Sequence, residues 1–275
     1  MRIDSHQHFW IYNVERDAWI TDDMSVIRRD FMPTDLAPLL KENNIDGVIA
    51  VQAEQSHQET QFLVDLSAVY AMVKAVVGWV DLASGQVVEH LRHFSQYPIV
   101  KGFRHIVEGE EDPDFLMRPA IQRGIKALTK YGYTYDLLIR PRHFESTLAC
   151  AKANPDQQFI LNHMAKPDIK QKAFDEWAGF IADLAAFPNV ACKVSGLATE
   201  TDWMKWQLED FARYIDHVIA RFGKDRIMFG SDWPVCLLSA SYADNMRIMG
   251  SRLSSFTEED RQAFFGGNAV RVYNI

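Results

Sequence analysis

Cysteine and excess basic charge are both scarce in this sequence, and each shortage excludes a class of protein. The three cysteines (Cys150, Cys192 and Cys236) are widely spaced and odd in number, so they predict neither a disulfide framework nor a metal-binding pattern. The 29 Lys and Arg residues are outnumbered by 37 Asp and Glu residues, and the net charge of −8 argues against nucleic acid as a partner. These features favour a protein of the reducing cytoplasm.

Long hydrophobic runs are also missing. No stretch of about 18 apolar residues occurs, and no apolar segment typical of a signal peptide follows the first residues, so we expect neither a membrane span nor secretion. The chain has no fixed-period repeat, no low-complexity tract and no linker rich in Pro, Gly or Ser. Because 48% hydrophobic residues are enough for a large core, we expect a single domain over residues 1–275.

Short β-branched runs alternate with longer helical patterns along the whole chain. The runs predict eight strands, at 2–9, 46–53, 73–81, 100–106, 133–139, 157–163, 190–196 and 226–232. The helical patterns lie near 34–43, 58–72, 85–96, 115–130, 142–153, 171–186, 205–222 and 257–265. This alternation predicts an α/β fold of parallel strands, a single (β/α)8 TIM barrel of regular or distorted shape. A doubly wound open sheet is the alternative, but no G-x-G-x-x-G motif follows any predicted strand.

Polar side chains stand at the ends of three predicted strands. His6 and His8 close the first strand and share one face with Asp4, His163 closes the sixth strand, and Asp232 closes the eighth. Strand ends converge at one face of a barrel, so we expect these groups to surround one point on its axis. Each residue alone has a structural explanation, as a buried histidine or a helix-capping aspartate. Together they predict a site for proton transfer or for one divalent metal ion, with zinc favoured by the nitrogen and oxygen ligands.

Several motifs resemble the amidohydrolase superfamily, and within it the branch of sugar-acid and muconate-type lactonases. The matching stretches span the chain in the family's order: DSHQHFW at 4–10, KGFRH at 101–105, YDLLI at 135–139, LNHMAKP at 161–167, KVSGL at 193–197 and FGSDWP at 229–234. The resemblance implies a carboxylic-ester hydrolase of carbohydrate metabolism that opens a lactone similar to L-fuconolactone or L-rhamnonolactone. It leaves the need for metal open, since some relatives in this branch work without one.

The sequence departs from the pattern of the two-metal members of that superfamily. Those members carry a bridging lysine or glutamate on the fourth strand and histidines on both the fifth and the sixth. Here Lys101 lies at the start of the fourth predicted strand, and the fifth offers Tyr135 and Asp136 with no histidine. We therefore expect at most one metal ion, held by His6, His8, His163 and Asp232.

Lactone hydrolysis requires an activated water, a polarised carbonyl and a proton for the leaving ring oxygen. We predict that Asp232 is the general base that takes the proton from water and delivers it to the leaving alcohol. A metal ion would polarise the carbonyl or, without one, His163, Arg104 and His105 would do so. His105 has the opposite strand parity from Arg104, so it joins the site only if it lies at or beyond the strand end.

Other residues are predicted to line the substrate pocket. Gln52 and Trp79 close the second and third strands, and amides and flat aromatic rings suit polyhydroxyl ligands, although core packing is the alternative for Trp79. Trp10 opens the long irregular connection 10–33, which is expected to form a lid or pocket wall. Lys193 lies within an apolar strand, where its charge either pairs with a site carboxylate or faces the helices.

Two further functions and one structural question stay open at the level of sequence. A metal-dependent decarboxylase or a pyrone- or muconate-type dicarboxylate lactonase belongs to related branches, and a non-catalytic binding barrel is a third class. The chain gives no indication of whether it forms a homo-oligomer. The remaining histidines lie on or beside predicted helices and are expected to be solvated surface residues: His57, His90, His93, His143 and His217.

Overall fold

The computed structural model describes residues 1–275 and confirms the barrel. Eight parallel strands pair in chain order: β1 (Ile3–Gln7), β2 (Gly47–Val51), β3 (Val73–Gly78), β4 (Val100–His105), β5 (Thr134–Leu137), β6 (Phe159–Leu161), β7 (Val190–Val194) and β8 (Ile227–Phe229). Just beyond β8, Asp232 donates its N–H to His6 O at 2.8 Å, and His8 donates to Trp233 O at 2.7 Å. These bonds join the first and last strands, which an open doubly wound sheet would leave apart.

Ten helices accompany the strands, two more than the sequence predicted. They are α1 (Pro33–Glu42), α2 (His57–Val69), α3 (Val87–Phe94), α4 (Pro119–Tyr131), α5 (Phe144–Ala153), α6 (Asp175–Ala185), α7 (Leu208–Phe222), α8 (Tyr242–Gly250), α9 (Glu258–Gln262) and α10 (Asn268–Tyr273). The prediction missed α8, although Ser241 accepts a hydrogen bond from the Asp244 N–H in a capping box. It also missed α10. None of the helices is long and apolar enough to cross a membrane.

Strands β2, β6 and β8 contain no polar side chain because both of their faces are covered. All five residues of β2 are buried, and Ile49 and Val51 meet Ile3, Val77 and Ile160 in a small apolar cluster. Ala269 and Tyr273 of α10 belong to the same cluster. The carboxyl-terminal helix therefore packs against apolar residues of the strands.

A buried ion pair crosses the barrel interior. Lys193 Nζ on β7 lies 2.6 Å from Asp136 Oδ2 on β5, and both side chains are fully buried. The Tyr273 hydroxyl donates to Asp136 at 2.9 Å, and Asn162 Nδ2 donates to it at 2.9 Å. This arrangement answers the question about Lys193, which pairs with a carboxylate inside the barrel instead of facing the helices.

Removal of the ammonium group of Lys193 tests how much this ion pair contributes to the stability of the fold. Lys193→Met leaves the Asp136 carboxylate buried without its counter-charge, so we expect the free energy of unfolding to fall by about 3–5 kcal/mol. In Lys193→Met/Asp136→Asn the loss should be smaller, since Asn keeps an acceptor for Tyr273 and carries no charge. Denaturant unfolding followed by circular dichroism measures both variants. Wild-type stability in the single variant would contradict this account.

Glu59 gives the stability of the fold a pH dependence. It lies in the first turn of α2, is buried, and accepts the Ala53 N–H at 2.9 Å. Burial raises its pKa from 4.5 to about 7. Between these two values the unfolded chain releases the proton before the folded chain does, so stability falls as the pH rises through this window.

The substitution Glu59→Gln removes this ionisation and keeps an oxygen for the Ala53 N–H. We expect it to stabilise the protein by about 3 kcal/mol at about pH 8, or roughly 8 °C in thermal midpoint, and to have little effect at about pH 5. Glu89→Gln is the matched control, because Glu89 occupies the first turn of α3 and is exposed. Equal midpoint shifts at the two pH values for Glu59→Gln would show that the buried carboxyl does not set this dependence.

Candidate active site

A cavity of about 360 Å³ opens where the strands end. Three of the side chains named in the sequence analysis as a site, His8, His163 and Asp232, line it. Arg104 reaches it from β4, and Trp10 closes one side as predicted for the 10–33 connection. The mouth of the cavity therefore lies at the carboxyl-end face of the barrel, where barrel enzymes build their sites.

The carboxylate of Asp232 lies at the centre of three imidazole rings. Its Oδ1 is 3.8 Å from His6 Nε2, 3.5 Å from His8 Nε2 and 3.7 Å from His163 Nε2. All four side chains are buried. The structure thus brings together the four residues that the sequence placed at strand ends, although His163 and Asp232 lie just beyond β6 and β8 because those strands are shorter than predicted.

Asp4 does not join this group, contrary to the expected period-two face of the first strand. The pairing register of β1 shifts between Asp4 and Gln7. Asp4 instead accepts hydrogen bonds from the Ser231 N–H at 2.9 Å and from the Tyr242 hydroxyl of α8 at 3.0 Å. It therefore anchors the segment that carries Asp232.

Hydrogen bonds fix which nitrogen of two rings is free. His8 Nδ1 lies 2.8 Å from the Val51 carbonyl, which only accepts, so Nδ1 carries the proton and Nε2 presents its lone pair. His6 Nε2 lies 3.3 Å from Arg104 Nη1, which only donates, so its Nε2 is also unprotonated in the neutral ring. Two nitrogen lone pairs and a carboxylate oxygen are thus directed at the same small volume.

This donor set fits a divalent metal ion. The ligand atoms of His6, His8 and Asp232 all lie within 4.8 Å of one another, whereas His163 falls outside that closest group. Their converging lone pairs repel one another unless a cation lies between them, and two imidazoles with one carboxylate suit zinc. The Arg104 guanidinium points at the same lone pair of His6, so it would compete with a metal ion there.

Burial sets the protonation of the site. It lowers the pKa of His6 and His8 and takes the pKa of His163 to about 3, so the rings are neutral at pH 7. Burial acts to raise the pKa of Asp232 as well, but charge interactions, among them that with the ammonium group of Lys166, outweigh it and hold that pKa below its ordinary value. The site therefore contains an ionised carboxylate among neutral imidazoles.

Arg104 is held rigidly at the cavity wall. It is buried, and its Nη2 donates to the Gln52 carbonyl oxygen and, at 3.0 Å, to Gln52 Oε1. Its Nη1 donates to Asn162 Oδ1 at 3.3 Å. Gln52, predicted from the sequence to contact substrate, does not line the cavity and instead orients this guanidinium.

Two other predicted site residues lie outside the cavity. His105 follows Arg104 on β4 and points the opposite way, where it stacks on Phe115 at 4.7 Å and bonds Glu110 Oε1 at 2.7 Å. Trp79 donates its indole N–H to His105 Nδ1 at 3.3 Å. The structure therefore does not bring His105 and Trp79 to the other site residues.

Two charged residues that the sequence analysis did not name as site residues line the cavity. Lys166 Nζ lies 2.7 Å from both carboxylate oxygens of Glu108, and Arg140 Nε lies 3.1 Å from the same carboxylate. A turn of four consecutive left-handed residues, 163–166, with φ between 48° and 59°, carries both His163 and Lys166. The motif LNHMAKP at 161–167 contains Lys166, but the left-handed turn that brings Lys166 to the cavity cannot be predicted from residue types.

Position 196, beside the same turn, requires a glycine. Its φ is 63°, and a Cβ atom there would lie 2.5 Å from His163 Nδ1 and 3.2 Å from Asp232 Oδ2. The neighbouring Ser195 Oγ is 2.9 Å from His163 Nδ1. The segment after β7 thus orients the His163 ring from close range.

The comparisons with known proteins agree with this geometry. L-fucono-1,5-lactonase from Burkholderia multivorans is 37% identical, over 100% of this chain and 96% of its own length. L-fucono-1,5-lactonase from Burkholderia ambifaria is 34% identical, also over 100% and 96%. A solved amidohydrolase structure from Burkholderia multivorans with bound zinc has a TM-score of 0.97 at 36% identity, over 100% of this chain and 99% of that one. The profile of the amidohydrolase family matches residues 3–275, and the chain belongs to this family.

Proposed function

We propose that this protein hydrolyses a neutral sugar-acid lactone, similar to L-fucono-1,5-lactone, with Asp232 as the general base. The observation that carries the proposal is the ionised carboxylate of Asp232, buried among three neutral imidazoles at the wall of the cavity. Full-length similarity to two L-fucono-1,5-lactonases supports the choice of substrate class.

The charges of the cavity favour a neutral substrate. Arg104 and Lys166 are its two cationic side chains, and Glu108 and Asp232 are its two anionic ones. Lys166 is paired with Glu108, which leaves the positive charge of Arg104 to balance the negative charge of Asp232. A substrate carboxylate would add an uncompensated negative charge to this balanced cavity, whereas hydroxyl groups can share donors and acceptors that are already paired. This argues against the dicarboxylate lactonase and decarboxylase alternatives.

The aromatic side of the cavity complements the other face of a sugar ring. Trp10 and Trp19 both line it, with ring centroids 6.2 Å apart and nearly perpendicular planes. Trp10 is buried and donates its indole N–H to Arg29 O at 2.8 Å, so its ring is fixed. Trp19 is 46% exposed and borders the opening. Flat rings of this kind pack against the C–H groups of a lactone while its hydroxyls face the polar wall.

The residues of this chain supply each step of lactone opening. Asp232 accepts a proton from a water molecule, whose oxygen attacks the lactone carbonyl. The Arg104 guanidinium stabilises the negative charge that develops on the carbonyl oxygen. The carbon–oxygen bond of the ring then breaks, and Asp232 returns its proton to the leaving alcohol. The product is an open-chain hydroxy acid.

We propose further that His6, His8 and Asp232 hold a zinc ion. When bound, zinc supplies Lewis-acid polarisation and lowers the pKa of water. The proposal is supported by the converging lone pairs of the two histidines and by the zinc in the Burkholderia multivorans structure.

Acid release on a panel of lactones tests the proposed activity. We expect turnover of L-fucono-1,5-lactone or a related deoxy-sugar lactone, and none of 2-pyrone-4,6-dicarboxylate. Asp232→Asn removes the base, so its kcat should fall by about 10²–10⁴-fold with the fold retained. Asp183→Asn, an exposed aspartate on α6, serves as the control and should keep wild-type kcat. Preference for the dicarboxylate would contradict the conclusion that the cavity takes a neutral substrate. Wild-type activity of Asp232→Asn would contradict the assignment of Asp232 as the base.

Zinc content after dialysis tests the proposed metal site. His8→Gln removes one ligand, so we expect zinc affinity at this centre to fall by at least about tenfold. His217→Gln is the matched control, because His217 lies on α7 and Gln can still donate to Ala178 O. Equal zinc affinity of the two variants at the barrel centre would contradict the ligand assignment.

A further inference from the structure

Three of the nine histidines form a second cluster away from the cavity. Six histidines make side-chain hydrogen bonds: His6, His8, His105, His143, His163 and His217. The three without one, His57, His90 and His93, lie together. His57 begins α2, and His90 and His93 lie three residues apart on α3, so their side chains share one face of that helix.

Of the five histidines expected at the surface, only His93 is exposed, whereas His143 is buried and His217 is half-buried. His57 and His90 are half-buried, and their ring centroids are 4.3 Å apart at an interplanar angle of 70°. His57 Nε2 and His90 Nδ1 are both shielded from solvent, and neither has a hydrogen-bond partner. A buried polar nitrogen without a partner loses its hydrogen bond to water and gains none in return, so two on adjacent rings call for an explanation.

The spacing of the two rings is similar to that of the two histidine ligands in the candidate metal centre. The centroids of His6 and His8 are 5.0 Å apart, against 4.3 Å for His57 and His90. Burial lowers the pKa of His57, and the adjacent His90 and His93 lower it further, while Asp81 acts in the opposite sense. A neutral imidazole keeps a lone pair free for a metal ion at neutral pH.

The surroundings of the cluster set the kind of ion. An open cavity of about 310 Å³ is lined by His57, Gln58, Gln61, His90, His93 and Phe94. No carboxylate is among these residues, so the available donors are three imidazoles and two amides. Nitrogen donors select zinc, copper or nickel over calcium and magnesium, which prefer several carboxylate oxygens.

We propose that His57, His90 and His93 form a second, peripheral binding site for a zinc ion. His57 Nε2 and His90 Nδ1 are the first two ligands. The exposed His93 side chain rotates towards them to supply the third. Water or the side-chain amide of Gln58 or Gln61 fills the fourth position. An ion there would join the start of α2 to α3 and satisfy both unpartnered nitrogens. The site is independent of the hydrolytic cavity, from which Trp79 and His105 separate it.

Calorimetric titration with zinc chloride tests the proposal on the full chain after metal removal. His57→Gln and His90→Gln should each lose one equivalent of bound zinc or bind it at least about tenfold more weakly than wild type. His217→Gln, the control, should bind as wild type does. Lactone hydrolysis by the cluster variants should be unchanged, which separates this site from the barrel centre.

A second measurement does not depend on the variants. Crystals of the wild-type protein soaked in zinc chloride should show an anomalous-scattering peak between His57 Nε2 and His90 Nδ1. Absence of that peak at zinc concentrations that saturate the calorimetric titration would overturn the proposal. So would zinc binding by His57→Gln and His90→Gln that matches His217→Gln.

Discussion

The buried carboxylate of Asp232 is the group around which the carboxyl-end face of this barrel is organised. An isolated anion in a low-dielectric interior is very costly, so its neighbours must compensate for the lost water. Arg104 and Lys166 bring positive charge to the same cavity, and three imidazole rings surround one of the carboxylate oxygens. The same burial that disfavours the charged carboxylate also disfavours charged imidazoles, so these rings stay neutral. A proton acceptor that is ionised and nearly dry is what activation of a water molecule requires.

A second set of polar side chains, below the cavity, holds the cavity-lining residues in place. Asp136 binds Lys193, Tyr273 and Asn162, and Asn162 in turn accepts from Arg104. The polar groups of the barrel interior therefore form one connected chain from α10 to the cavity wall. Networks of this kind are costly when a member is missing and rigid when complete, so the orientation of Arg104 depends on side chains that never meet the substrate. The carboxyl-terminal helix thus contributes to the site from the opposite end of the barrel.

Much of this arrangement is readable from the sequence because it follows from strand and helix periods. The eight strands, the parallel order and the convergence of His6, His8, His163 and Asp232 all rest on the alternation of apolar runs and on polar residues at their ends. The period-two rule also places Arg104 inside and His105 outside. It fails for Asp4, because the β1 register shifts between Asp4 and Gln7, which no residue type announces.

Other features are invisible at the level of residue types. Four consecutive left-handed residues bring Lys166 to the cavity, and L-residues other than glycine rarely adopt that conformation, so no sequence rule predicts it. Gln52 was expected to contact substrate because it ends a strand, yet its amide is taken by Arg104. Glu108 was not predicted as a site residue, because it lines the cavity as the ion-pair partner of Lys166, which is 58 positions away in the chain. Pairings between distant polar side chains depend on packing details that a pattern does not contain.

Hydrolysis in water enriched in oxygen-18 tests the central claim most directly. If Asp232 activates water for attack on the lactone carbonyl, mass spectrometry of the acid formed from L-fucono-1,5-lactone should find one heavy oxygen in the carboxyl group. The labelled acid should form well above the rate without enzyme. A heavy oxygen on the carbon of the released hydroxyl group, or acid formation no faster than in the absence of the protein, would contradict the account.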